Sequence, residues 1–115
     1  NIMNHGLLAG LAHSQVSKVL LAIHETPDHA WGLEEMAELA LMSRSKFADL
    51  FKKVVGQSPG DYLIDWRITV AKTLLLQSKP VALVANAVGY ENGSALARVF
   101  RKKLGMSPKE WLEKH

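Results

Sequence analysis

The chain of 115 residues contains no cysteine, which excludes a disulfide scaffold and any thiolate metal site and agrees with a reducing compartment. Long apolar runs are missing as well. No stretch approaches the roughly 18 uninterrupted apolar residues that a membrane span needs, and the start lacks a charged head followed by an apolar block and a small-residue cleavage site. A soluble, cytoplasmic chain without a membrane partner is therefore expected. There is no Gly-rich phosphate loop, nucleophile elbow or metal pair, so no catalytic residue and no cofactor is expected. His24 and His29 lack the cysteines or clustered acids that would complete a metal shell, and ordinary hydrogen bonding or solvation suits them better. Glu34 and Glu35 are explained by the positive end of a helix dipole, and Glu38 as an exposed helix residue.

Sustained strand-like alternation is also absent, whereas apolar residues recur at helical spacing almost everywhere; the fold class read from this is all-α. Val16, Val19, Leu20 and Ile23 mark one face of a first helix that ends before Pro27. Leu33, Met36, Ala37 and Ala40 mark a short second helix. Ser43 caps a third, with an inner stripe of Phe47, Leu50, Phe51 and Val54 and a stop at Gly56. Ser58 and Pro59 open the longest helix, Asp61 approximating a capping box, and Leu63, Trp66, Val70 and Leu74 carry its expected stripe to about Ser78. Leu83, Val84, Ala87 and Val88 mark another short helix, GYENG a turn, and Leu96, Val99, Phe100 and Leu104 a longer helix that stops at Gly105. Ser107, Pro108 and Glu110 open a last helix anchored by Trp111 and Leu112. Trp31, Trp66 and Trp111 are read as core and anchoring residues, not as stacking platforms for single strands.

Two stretches carry the same punctuation: GQSPGDYL at 56–63 and GMSPKEWL at 105–112. The match extends outward to 36–63 against 84–112, with one extra residue in the second turn, and is an internal repeat of short helix, tight turn and longer helix. Such units have the form of helix-turn-helix modules, in which the second helix does the reading. The expected linker helix between them, Pro59 to Ser78, would span roughly 30 Å, close to one turn of B-form DNA at about 34 Å.

Charge follows the repeat. The formal net charge is only +3, but Arg44, Lys46, Lys52 and Lys53 face a lone Asp49 in one reading helix, and Arg98, Arg101, Lys102 and Lys103 face no acid in the other. The remainder of the chain is net acidic. On a 100° wheel the small residues Ser45 and Ala48 and the polar Asp49 oppose the first apolar stripe, as Ser94, Ala97 and Arg98 oppose the second. With Arg44 at the head of the first helix, these seven are the candidate base readers; small side chains let the backbone sink into a groove, and Arg98 can meet both acceptors of a guanine edge. Ser43, Lys46, Lys52, Lys53, Arg101, Lys102 and Lys103 are the candidate phosphate contacts, which fix position without reading sequence. For Asp49 two readings stand: acceptance from a cytosine amino group, or, as the favoured one, an ion pair with Lys46 or Lys53.

GYENGSALARVFRKKLGMSPKEWL resembles the signature of the AraC/XylS family of bacterial transcription regulators. LALMSRSKFADLFKKVVGQSPGDYLIDWRITVAKTLL is similar to the same family's first reading unit and linker, including Ser43, Phe51, Ser58, Pro59, Tyr62, Arg67, Ala71 and Leu74. The likeness covers Gln15 to Glu113. It implies seven helices, with two helix-turn-helix modules in successive major grooves of double-stranded DNA. It also implies a preceding effector-binding or dimerising domain, so that residues 1–13 read as a junction, 14–57 as the first unit, 58–78 as the linker and 79–115 as the second unit; RNA polymerase is expected as a protein partner. The start at Asn1 instead of methionine fits a fragment. Asp49 departs from the family's usual basic or amide side chain. Two other classes remain open: a helical module that docks on acidic proteins, whose DNA binding would be absent even at low salt, and a structured-RNA binder that would prefer hairpins to duplex DNA.

Overall fold

The computed structural model describes Ala9, Gly10 and residues 12–115. Among the described residues lie seven helices and no strand: α1 (Ser14–Glu25), α2 (Leu33–Leu39), α3 (Arg44–Val55), α4 (Pro59–Leu76), α5 (Val81–Ala87), α6 (Gly93–Leu104) and α7 (Pro108–Glu113). The chain divides into two compact units, the first ending at Leu63 and the second running from Ile64 to His115. Most of the expected junction, residues 1–8 and 11, falls outside the described residues. Gly10 is buried, and a Cβ there would press on Leu20 Cδ1 at 2.4 Å and Val55 Cγ2 at 3.2 Å, so that a larger residue would require the Leu20 side chain to shift.

In the first unit, Val16, Val19, Leu20 and Ile23 of α1 are fully buried with Met36 and Ala37 of α2 and Phe47, Phe51 and Val55 of α3. Aromatic rings tie its parts together: Phe47 and Phe51 lie 5.6 Å apart, and Phe51 meets Tyr62 edge-on at 5.8 Å. Such pairs add about 0.5 to 1.5 kcal/mol beyond the area they bury. The α3 stripe ends on Val55, one position past the expected Val54, because Phe47, Phe51 and Val55 keep a strict four-residue step; Leu50 and Val54 flank it half-buried. Leu33, expected inside, is 40% exposed since the first residue of α2 overhangs the core.

The second unit is built around Ile68, Ala71, Leu75, Val84, Ala85, Val88, Leu96, Phe100 and Trp111. Here α4 corrects the sequence reading twice. It stops at Leu76, not Ser78, giving 18 residues and a length of about 27 Å. Its deeply buried residues are Tyr62, Leu63, Ile68, Ala71 and Leu75, while Trp66, Val70 and Leu74 are only half-buried. The arithmetic that picked one stripe fails because Tyr62 and Leu63 belong to the first unit, and Ile68, Ala71 and Leu75 lie about 80° to 140° further round the helix from Leu63. Leu83, also expected inside, is 61% exposed: it takes the place that Glu35 holds in the first copy, on the outer face of its short helix. Ala87 is exposed too.

Helix ends are set by local chemistry. Ser43 Oγ accepts from Lys46 N at 3.3 Å, Ser58 Oγ from Asp61 N at 3.2 Å, and Ser107 Oγ from Glu110 N at 3.2 Å. Glu110 Oε1 accepts in return from Ser107 N at 3.0 Å, completing a capping box. That bond holds the Glu110 carboxyl below the usual carboxylate range. Gly56 and Gly105 stop α3 and α6 in left-handed conformations, φ 97° and 75°.

Candidate nucleic-acid interface

Each candidate reading helix must first be aimed, and the turn before it does this. After α2 the Leu41 N–H donates to Glu38 O at 3.0 Å and the Met42 N–H to Ala37 O at 3.0 Å; after α5 the Gly89 N–H donates to Asn86 O at 3.2 Å and the Tyr90 N–H to Ala85 O at 2.8 Å. Both patterns are Schellman motifs, which need a left-handed residue at their pivot. Leu41 supplies it with φ 57° and Gly89 with φ 93°. One extra residue, Glu91, then precedes the second cap, where Asn92 Oδ1 accepts from Ala95 N at 2.9 Å. The sequence reading missed Asn92 as a cap, although it stands 49 positions after Ser43 in a dipeptide, Asn-Gly, typical of turns.

On α3, Arg44, Ser45, Lys46, Asp49, Lys52 and Lys53 are exposed and Ala48 is half-buried; on α6, Ser94, Arg98, Arg101 and Lys102 are exposed and Ala97 is half-buried. Ser45, Ala48 and Asp49 thus share one outward face of α3, and Ser94, Ala97 and Arg98 share the matching face of α6. Ser43 uses its oxygen as acceptor for the cap, which leaves its O–H able to donate to an anion. The favoured reading of Asp49 does not hold: it is exposed, and among the described residues neither Lys46 nor Lys53 pairs with it. Each prefers solvent, since a surface pair gains at most a few tenths of a kcal/mol against the entropy of fixing two side chains.

Lys103 differs from its neighbours. Its Nζ lies 3.4 Å from Asp65 Oδ1 of α4, with the two side chains 27% and 29% exposed. Three residues past Phe100, it sits only about 60° from the buried stripe, on the shoulder of α6. Nearby, the Arg67 guanidinium lies 5.3 Å from the centroid of the Tyr90 ring. Burial pushes the Tyr90 hydroxyl pKa up, against the opposing pull of Arg67 and Lys103. Asp65, Arg67 and Tyr90 were not singled out as a polar group by the sequence reading, since helical spacing says nothing about which residues of α4 meet the turn and α6.

In the first unit, His24 Nε2 and the Tyr62 hydroxyl are hydrogen-bonded, and their rings are stacked 5.8 Å apart. Burial lowers the His24 pKa and pushes that of Tyr62 up to about 12. With both groups held neutral, the tyrosine O–H is the natural donor and the imidazole nitrogen the acceptor. His29 contacts Glu35 at 2.8 Å. Among the described residues, no three His, Asp or Glu side chains gather to hold a metal, and no helix is long and apolar enough to cross a membrane.

Two copies of short helix, Schellman turn and capped cationic helix define a tandem helix-turn-helix domain. The helix-turn-helix domain family matches residues 36–114. An AraC-like protein of Streptomyces antibioticus is 44% identical over 107 residues, 92% of this chain and 35% of that protein. The HTH-type transcriptional regulator AlkR of Acinetobacter baylyi is 38% identical over 105 residues, 90% of this chain and 34% of its own length. The DNA-binding domain of the global transcriptional factor AdpA, solved in complex with a target DNA, superposes with a TM-score of 0.79 at 30% identity, covering 85% of this chain and 89% of that one. The chain belongs to the AraC family of helix-turn-helix transcription regulators. It spans about a third of the length of the curated relatives it matches.

Proposed function

We propose that this chain is the sequence-specific DNA-binding part of a cytoplasmic transcription regulator, with α3 and α6 each reading a major groove of one asymmetric duplex site. The observation that carries this reading is the pair of outward faces, Ser45/Ala48/Asp49 and Ser94/Ala97/Arg98, presented by equivalent capped helices with different chemistry. Residues 14–57 form one reader, 79–115 the other, and 58–78 the link. Once one helix docks, the link keeps the second at high effective concentration beside its own half-site, so that two weak contacts give useful affinity. The AdpA domain supports the assignment through its target DNA. RNA polymerase is the proposed protein partner, and an effector-binding domain the proposed remainder of the regulator.

Salt separates this reading from its rivals. Binding to random duplex DNA should fall steeply as salt rises, because displaced counterions drive it. Selection of bound duplexes from a random pool should then return an asymmetric site with two unlike halves. A protein-docking module would show no duplex binding even at low salt, and an RNA binder would prefer hairpins; either result rejects the proposal.

A further inference from the structure

Eight cations decorate the two reading helices: Arg44, Lys46, Lys52, Lys53, Arg98, Arg101, Lys102 and Lys103. Of these, Lys103 is ion-paired with Asp65 of α4. A half-exposed pair at 3.4 Å is a weak staple. It is nonetheless an adequate competitor for a phosphate, since carboxylate and phosphate oxygens present the same acceptor chemistry to an ammonium. The lysine stem is flexible enough to swing between the two from the shoulder of α6.

We propose that Asp65 acts as an internal phosphate surrogate, holding back Lys103 so that the chain binds random DNA less tightly than its cationic helices would otherwise allow. The inference rests on the DNA-binding reading above. It makes Asp65 a positioning residue that sets affinity for the phosphate backbone through another side chain. Affinity for random sequence comes almost entirely from phosphate neutralisation, whereas the preference for a particular site comes from base contacts such as that proposed for Arg98. Masking one cation therefore weakens non-specific binding, and the sequence-reading face is left as it is.

The test is a salt titration of the unaltered chain, Asp65→Asn, Lys103→Met and the double variant on a random duplex and on a duplex from the selected pool, with a thermal melt of each. Asp65→Asn should raise random-duplex affinity roughly three- to tenfold and steepen the salt slope by up to about 0.9, the value of one added phosphate contact. The ratio of selected to random affinity should not rise. In the Lys103→Met background the gain should vanish. A gain that persists there reflects the general loss of a negative charge and overturns the proposal. Unchanged or lower affinity together with a lower melting temperature makes Asp65 a structural tether and overturns it as well. If the unaltered chain binds no duplex at low salt, the DNA-binding reading itself fails, a result distinct from duplex binding that is indifferent to Asp65→Asn.

Discussion

The first unit turns from α2 into α3 on Leu41; the second makes the same turn on Gly89. The backbone hydrogen bonds are equivalent, yet a leucine in the left-handed region costs about 1 to 2 kcal/mol that glycine avoids. Leu41 is also 78% exposed, so no burial offsets that cost. Similar divergence runs through the rest of the repeat. Phe51 meets Tyr62 where Phe100 meets Trp111, edge-on at 5.8 and 6.4 Å. The caps are Ser43 and Asn92. On the outward face, Asp49 stands where Arg98 does. Backbone turn and edge-on aromatic packing are thus kept between the copies, while the side chains that fill them and the chemistry offered outward differ.

The strongest way to test this equivalence is to remove the shared anchor. Phe51→Ala and Phe100→Ala should each cost about 3 to 5 kcal/mol, because both rings are fully buried. Hydrogen exchange should show the loss confined to the unit that carries the change; equal loss in both units would mean that the copies are not separate packing blocks.

A second difference is titratable. Tyr62 is fully buried with its pKa near 12, whereas Trp111 at the equivalent place cannot ionise. A raised folded pKa gives stability that is full below the ordinary value of about 10 and is lost as pH climbs toward 12, roughly 2 to 3 kcal/mol in all. His24, with its pKa lowered, has the opposite sign: its contribution is present above about 6.5 and is lost as pH falls through the folded value. Denaturation across pH should therefore narrow the stable range of the first unit at both ends, and Tyr62→Phe should abolish the alkaline loss.

On DNA, Arg98→Ala should cost roughly 1 to 3 kcal/mol and relax preference at one base pair, whereas Lys102→Ala should weaken all sequences alike. Indistinguishable effects in a salt titration would remove Arg98 from base reading. The smallest expected change sharpens the turn comparison. Leu41→Gly should stabilise the first unit by about 0.5 to 1 kcal/mol, the relief of φ strain being partly offset by glycine's greater freedom when unfolded, and Gly89→Leu should destabilise the second by about 1 to 2 kcal/mol. A melt in which both changes lower stability would contradict equal turn geometry.

Much of this was legible in the chain alone. Serine before a helix and glycine after one are local signals, so Ser43, Ser58, Ser107, Gly56 and Gly105 could be placed from neighbours in sequence. The core faces of α1 and α3 followed from spacing, to within one residue. What could not be read was non-local. The half-buried positions of Trp66, Val70 and Leu74 depend on which parts of the molecule α4 packs against at each turn. The pairing of Lys103 with Asp65 joins residues 38 positions apart. Leu41 was hidden for another reason, since nothing in its residue type announces a positive φ.

The indoles fall unevenly across the repeat. Trp31 lies in the loop between α1 and α2, its Nε1–H donating to Thr26 O at 2.8 Å, while Trp111 is buried in α7 beside Phe100, with His115 stacked on it at 4.5 Å. With Trp66 replaced, a variant that keeps only Trp31 or only Trp111 would carry a single built-in fluorophore in one chosen unit. One instrument could then follow the two halves separately as they melt or as they meet a duplex.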